Sequence, residues 1–326
     1  MQRIAVLNQK GGVGKTTTSV NVAVGLSRLG HKVCLADLDP QAHATTHLGV
    51  AMQPNLPTLY HALVGGRPLS SLLQKQSDHL YILPADLNLA AAEVELAGVV
   101  GRELILKDQL ELLRTPEGDL FDWVIMDCGP SLGILTLNAL SAARDVIIPL
   151  QPHFLALHGM GKLLETTSLV SKRLNPGLRV LGILLSMYEA NTKLAQEVTG
   201  DLVGYFEKAR GSKLPWADAR VFQSKIRRNI KLAEAPGFGQ SIFEYEANSN
   251  GAEDYGNLCQ EIVRMVQVRD FPEMTDKTER GAVVHPSHDL APPSGLSHGS
   301  AMDPASHAEA LHSPAFANEQ ESWQNP

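Results

Sequence analysis

Asn8-Gln9-Lys10-Gly11-Gly12-Val13-Gly14-Lys15-Thr16-Thr17-Thr18 is the stretch that decides how this chain folds. Before it stands a short apolar run, Arg3 to Leu7; after it, Lys15 to Leu29 has a helical period and stops at Gly30. A strand, a glycine-rich turn and a helix in that order let backbone N–H groups converge where no Cβ intrudes, and the helix adds the positive end of its dipole. The product is an anion cradle for a polyphosphate. Lys15 is placed to reach the β and γ phosphates, and the Thr16 hydroxyl to coordinate Mg²⁺.

Further bounded apolar runs, Lys32 to Asp37, Trp123 to Asp127, Asp145 to Leu150 and Leu178 to Leu185, suit buried parallel strands. Between them lie helix-like stretches: Leu87 to Ala97, Leu104 to Leu113, Leu137 to Ala143, Leu155 to Leu174, Leu194 to Phe206 and, last, Gly251 to Val268. The alternation predicts an α/β fold, doubly wound, with a mostly parallel sheet, helices on both faces, and ligands at the carboxyl ends of the strands.

The chain has 326 residues, 44% hydrophobic and 19% charged, enough for a large core. No run is long enough for a signal peptide or a bilayer span, so a cytoplasmic protein is expected. Cys34, Cys128 and Cys259 are far apart and read as reduced core residues. The net charge of -7 is local: residues 270–326 hold nine acidic and two basic residues, leaving 26 of each sign in 1–269. Those bounds divide the chain into a domain, 1–269, and a Pro/Ser/His-rich acidic tail, 270–326, expected to be disordered. The tail's His285, His288, His298, His307 and His312 are irregularly spaced, as in a solvated linker rather than a metal site.

The general P-loop pattern asks for glycine five positions before Gly14, where this chain has Gln9. It carries instead a second lysine, Lys10, beside Gly11-Gly12. With Lys15 already serving the phosphates of its own subunit, Lys10 is a candidate to reach the nucleotide of another.

These residues resemble the deviant Walker A group of P-loop ATPases, K-G-G-x-G-K-[ST], and within it the ParA/Soj chromosome and plasmid partitioning family. Asp37-Leu38-Asp39-Pro40-Gln41 resembles that family's second acidic motif, Trp123 to Ser131 its Walker B segment, and Leu232 to Gly239 its Leu-x-Glu-Ala-Pro block; the likeness covers residues 2–268. It implies an ATPase with ATP and Mg²⁺ as cofactors. Lys10, Gly11, Gly12, Val13, Gly14, Lys15, Thr16 and Thr17 would hold the nucleotide, Lys10 from across a dimer interface. Thr16 would bind Mg²⁺ directly and Asp127 through water, Asp39 would orient the attacking water, and Asp37 would support this pair. Positioning and charge neutralisation suffice for phosphoryl transfer.

The chain departs from the family pattern at Gly129, where a proline often follows the Walker B aspartate, and at Glu189, Asn191 and Arg227 in two segments that lie near the adenine in relatives. Base contacts are therefore left unassigned. Lys208 to Lys231 holds eight basic residues and one acid, Asp218, a density suited to phosphate backbones. By resemblance Arg227, Arg228 and Lys231 are the DNA-binding candidates, with the stretch Gly211 to Trp216 longer than usual.

The resemblance implies a nucleotide-dependent homodimer, nonspecific double-stranded DNA and a ParB-like centromere-binding protein as partners, and a nucleoid-associated protein without stable membrane attachment. The first strand begins at once, as in the short chromosomal type without an N-terminal helix-turn-helix domain. An alternative is a MinD or flagellar-type positioning ATPase, which typically ends in an amphipathic, lysine-bearing helix; the last residues here are acidic and polar. An iron-sulfur reductase of the same fold needs cysteines shared across a dimer, and only Cys128 stands near the motifs.

Overall fold

The computed structural model describes residues 1–53, 55–153 and 156–270. Its centre is an eight-stranded sheet: β1 (Gln2–Val6), β2 (Val33–Leu38), β3 (Gln74–Ser77), β4 (Leu80–Leu83), β5 (Trp123–Cys128), β6 (Asp145–Leu150), β7 (Arg179–Leu185) and β8 (Arg220–Val221), in the order β3-β4-β2-β5-β1-β6-β7-β8. Only the β3–β4 pair is antiparallel. Every residue of β2, β5 and β6 is buried, as strands covered on both faces must be.

Two apolar cores explain the covering. Along β1, Ala5 faces one core and Ile4 and Val6 the other, the period of two that strand geometry imposes. The first core packs the sheet against α3 (Leu59–Leu63), α4 (Ala92–Glu95), α5 (Ile105–Leu112), α6 (Ile134–Ala142), α7 (Ala156–Arg173) and α8 (Lys193–Ala209). The second packs it against α1 (Lys15–Arg28), α2 (His43–His47), α10 (Ile242–Tyr245) and α11 (Asn250–Asp270), with Leu232 of α9 (Lys231–Glu234) at its edge. Cutting Ile4, fully buried, to alanine would cost about 2–5 kcal/mol.

The five strands and the long helices expected from the sequence are present within one to three residues at most ends. Leu87 to Ala97 is instead a 3-10 turn, Leu87–Ala91, followed by the single turn of α4. β3, β4 and β8 and the four-to-five-residue helices α2, α3, α9 and α10 carry too few residues for a period to register. The expected tail falls outside the described residues, except for Asp270, which closes α11. There it accepts from Gln2 Nε2 at 2.8 Å and pairs with Arg144 at 2.7 Å, while Arg269 reaches Asp145, so the helix end is tied to the start of the sheet.

Strand order reverses at β1, which lies between β5 and β6. The loop leaving β1 therefore stands over the crevice at the carboxyl edge, the position from which a doubly wound fold binds ligands.

Candidate functional site

The phosphate loop is held from both sides. Asn8 donates from Nδ2 to the Pro149 carbonyl at 2.7 Å and accepts from the Lys10 N–H at 3.0 Å, and Ser186 donates to the Val13 carbonyl at 2.8 Å. Gly12 and Gly14 take φ of 73° and 83°, which a side chain would strain, and a Cβ on Gly11 or Gly12 would point into open space. Gly14 is the residue from which α1 starts, so the free N–H groups of the first helical turn face the loop. That is the cradle expected from the sequence.

The two lysines behave differently. Lys15 is 8% exposed and donates to the Lys10 carbonyl at 3.2 Å; burial pulls its pKa down against the opposing attraction of Asp127 and Asp39. Lys10 is exposed, and its ammonium meets His153 Nε2 beyond β6. Partial burial and the Lys10 charge hold the His153 imidazole below its usual pKa.

Three carboxylates line the same edge. Asp37 and Asp127 end β2 and β5 as register partners, and both are fully buried. Asp127 accepts from Thr16 Oγ1 and from Ser19 Oγ, each at 2.8 Å. Burial, reinforced by the charge of Asp37, pushes its pKa up to about 7. Asp37 accepts from the Thr45 N–H at 2.8 Å, the Thr45 hydroxyl at 2.7 Å and the Asp39 N–H at 3.2 Å. Burial outweighs those bonds and raises it to about 6. Asp39 accepts from the Gln41 N–H at 3.0 Å and lines a crevice of about 180 Å³ with Glu93, Gly129 and Ser131.

Ser19 and Thr45 were not singled out from the sequence. Ser19 could have been, since it lies three residues after Thr16 on the same face of α1. Thr45 gave no signal, because its tie to Asp37 depends on α2 turning back.

Beside the loop lies a cavity of about 430 Å³ lined by Gly14, Thr17, Ser186, Met187, Ile226 and Asn229 among others. It joins the two segments for which no base contact could be assigned. The Tyr188 N–H donates to the Ile226 carbonyl at 2.9 Å, and Tyr188 bridges to Arg227. Met187 sits at φ 49°, a left-handed conformation that costs a side-chain-bearing residue about 1–2 kcal/mol.

The basic candidates separate by their partners. Arg227 binds the carboxylate of Asp254 at 2.6 Å and that of Glu253 at 2.6 Å, and hydrogen bonds from those two groups raise its pKa further. Arg228 is 73% exposed and pairs with Glu189 at 3.1 Å; Lys231 pairs with Glu234 at 2.9 Å and lies over the Tyr245 ring at 5.7 Å. Arg227 thus fixes the turn to α11, and Arg228 and Lys231 face solvent.

A nucleoside polyphosphate fits this arrangement: loop N–H groups and Lys15 for phosphates, the neighbouring cavity for a nucleoside. No group of three or more His, Cys, Asp or Glu side chains able to hold a metal occurs among the described residues. Mg²⁺ keeps water and phosphate oxygens among its ligands, and Thr16, with Asp127 behind it at 2.8 Å, would fit such an ion. Cys34, Cys128 and Cys259 are free and buried, and burial pushes the Cys128 thiol far up. No helix among the described residues is long and apolar enough to cross a membrane.

A family model described as an AAA domain matches residues 1–180. The chromosome-partitioning ATPase Soj of Thermus thermophilus is 44% identical over 267 residues, 82% of this chain and 97% of its own. The chromosome partitioning protein ParA of Myxococcus xanthus is 40% identical over 271 residues, 83% of this chain and 89% of its own. A solved structure of cobyrinic acid a,c-diamide synthase from Mycobacterium smegmatis, with bound ADP and magnesium, aligns at 37% identity with a TM-score of 0.67, over 82% of this chain and 96% of that one. The same enzyme is also solved with a bound ATP analogue and magnesium.

Proposed function

This chain belongs to the ParA/Soj family of partitioning ATPases, and from that premise we propose that its ATP-bound form is a sandwich dimer that holds nonspecific duplex DNA. A ParB-like centromere-binding protein then stimulates hydrolysis and releases it. The protein hydrolyses ATP to ADP and phosphate with Mg²⁺, works on the nucleoid in the cytoplasm, and has no stable membrane attachment. Residues 1–269 are the working domain.

The observation that carries the reading is the divergence of the two lysines: Lys15 is buried against its own carboxylates while Lys10 is exposed on the rim. A monomer offers Lys10 no phosphate that Lys15 does not already serve. Across a two-fold interface it becomes the cation that completes the partner's site.

Bound MgATP supplies the γ-phosphoryl group, with the metal neutralising charge between phosphates. Gly11, Gly12, Val13 and Gly14 present N–H groups, Lys15 anchors, and Thr16 and Thr17 close the cradle at the start of α1. Thr16, whose hydroxyl now donates to Asp127, would hold the metal directly, and Asp127, with Ser19 donating to it, would hold it through water. Asp39 faces a crevice with room for water and orients the attacking one, with Asp37 fixing the Asp39 N–H. Arg228 and Lys231 bind the DNA backbone, and Arg227 contributes by holding their turn.

Sedimentation with MgATP and retention on duplex DNA test the proposal together. The wild type should dimerise and hold DNA only with ATP, and Asp39→Ala should stay dimeric on DNA. A chain that remains monomeric with MgATP contradicts it.

A further inference from the structure

A second cavity, about 490 Å³ and larger than the nucleoside cavity, opens at the opposite edge of the sheet. It lies where β6, β7 and β8 begin and is roofed by the last turns of α11, and it shares no lining residue with the site described above.

Four arginines line it, and they are not equivalent. Arg269 is engaged with Asp145 and Asp270. Arg179, Arg220 and Arg264, at the starts of β7 and β8 and on α11, have no carboxylate within ion-pair distance among the described residues. Three acids share the lining: Asp218 is exposed on the rim and in no ion pair among the described residues, and the other two are engaged or buried. Glu261 is taken by the N–H groups of Gln223 and Ser224, both at 2.8 Å. Asp145 is fully buried: Oδ1 accepts from Arg269, and Oδ2 is buried with no hydrogen-bond partner.

Three guanidinium groups around one concavity repel one another, and their planar donor forks match phosphate oxygens. A multivalent anion relieves the repulsion and satisfies the donors. The orphaned Asp145 oxygen adds a separate requirement, because a buried acceptor without a donor is costly. The ligand must therefore bring an anion for the rim and a hydrogen-bond donor for the floor. The volume is that of a small-molecule pocket, and the apolar wall of Val180, Leu181 and Met265 gives such a ligand a carbon surface to rest on.

We infer that this cavity is a second ligand site, for a small phosphate ester bearing hydroxyl or amino donors, a sugar phosphate or nucleotide. Its phosphate binds Arg179, Arg220 and Arg264, and its donor turns toward Asp145.

The test uses the full chain with ADP and Mg²⁺ saturating the phosphate loop, titrated calorimetrically with ribose 5-phosphate, AMP and inorganic phosphate. The inference expects one further saturable event with ribose 5-phosphate or AMP, tighter than with inorganic phosphate. It should weaken about tenfold or more in the double variant Arg179→Gln, Arg264→Gln. Both residues are exposed, so melting temperature and ATP hydrolysis should be unchanged. No second event with either ester, or one unaltered in the variant, overturns the site. Inorganic phosphate binding as tightly as the esters overturns the acceptor role of Asp145. Loss of duplex retention in the variant, without ester binding to the wild type, assigns the arginines to DNA and overturns the small-ligand reading.

Discussion

Thr16 Oγ1 donates to Asp127 Oδ2 at 2.8 Å, joining the first turn of α1 to the end of β5. Asp127 in turn lies beside Asp37, its register partner, so two buried carboxylates share one edge with a single buried lysine, Lys15. Without nucleotide the edge is charge-strained, and its titration should be measurable.

Burial raises Asp127 to about 7 and Asp37 to about 6, from ordinary values of 3.8. Between the unfolded and folded values the folded chain binds more protons than the unfolded one, so stability falls as pH rises. The nucleotide-free wild type should lose stability steadily from about pH 4 to about pH 7 through these groups. Asp127→Asn removes one buried charge, and the Thr16 and Ser19 hydroxyls can turn to accommodate it. Its melting temperature should change less over that range. A variant curve parallel to the wild type would show that Asp127 does not titrate there.

Arg227, Arg228 and Lys231 should separate in mutants. Arg227→Ala leaves Asp254, with a side chain 8% exposed, without its guanidinium partner. The loss should be about 1–2 kcal/mol of stability, the lower range for a pair whose arginine is 43% exposed and screened by water. Arg228→Glu with Lys231→Glu should leave the stability within about 0.5 kcal/mol of wild type while weakening DNA retention and lowering its salt dependence. Retention unchanged in that double variant would remove both residues from the DNA interface.

A Cβ on Gly129 would lie 3.4 Å from the Asp39 carboxyl carbon. Gly129→Ala should therefore set a methyl group in van der Waals contact with the carboxylate proposed to orient water, in place of water and without touching the phosphate loop. Hydrolysis should fall by roughly three- to tenfold with nucleotide affinity unchanged, if Asp39 acts on water. An equal loss of nucleotide affinity would place the effect elsewhere.

The parts of this molecule legible in sequence were those in which one local segment carries the whole device. Asn8 to Thr18 is strand, turn and helix in succession, and the buried runs of β2, β5 and β6 mark a covered parallel sheet without help from distant residues. The cavity beside the phosphate loop could not be read, because Met187 and Ile226 meet only through β7 and a two-residue strand. Arg227 sat in a basic run and looked like its neighbours. Asp254 and Glu253, which decide its role, lie on α11, more than 25 residues on.

The central claim is that Lys10 completes the site of another subunit. Mixing Lys10→Ala with Asp39→Ala tests it directly, since each variant alone is expected to be inactive. In the mixed dimer the site with an intact Asp39 receives Lys10 from its partner. Equal mixing should then restore about a quarter of wild-type ATP hydrolysis, one working site in each of the half of dimers that are mixed. If Lys10 serves its own subunit, no mixed dimer contains a complete site, and activity no higher than the sum of the two variants alone would contradict the account.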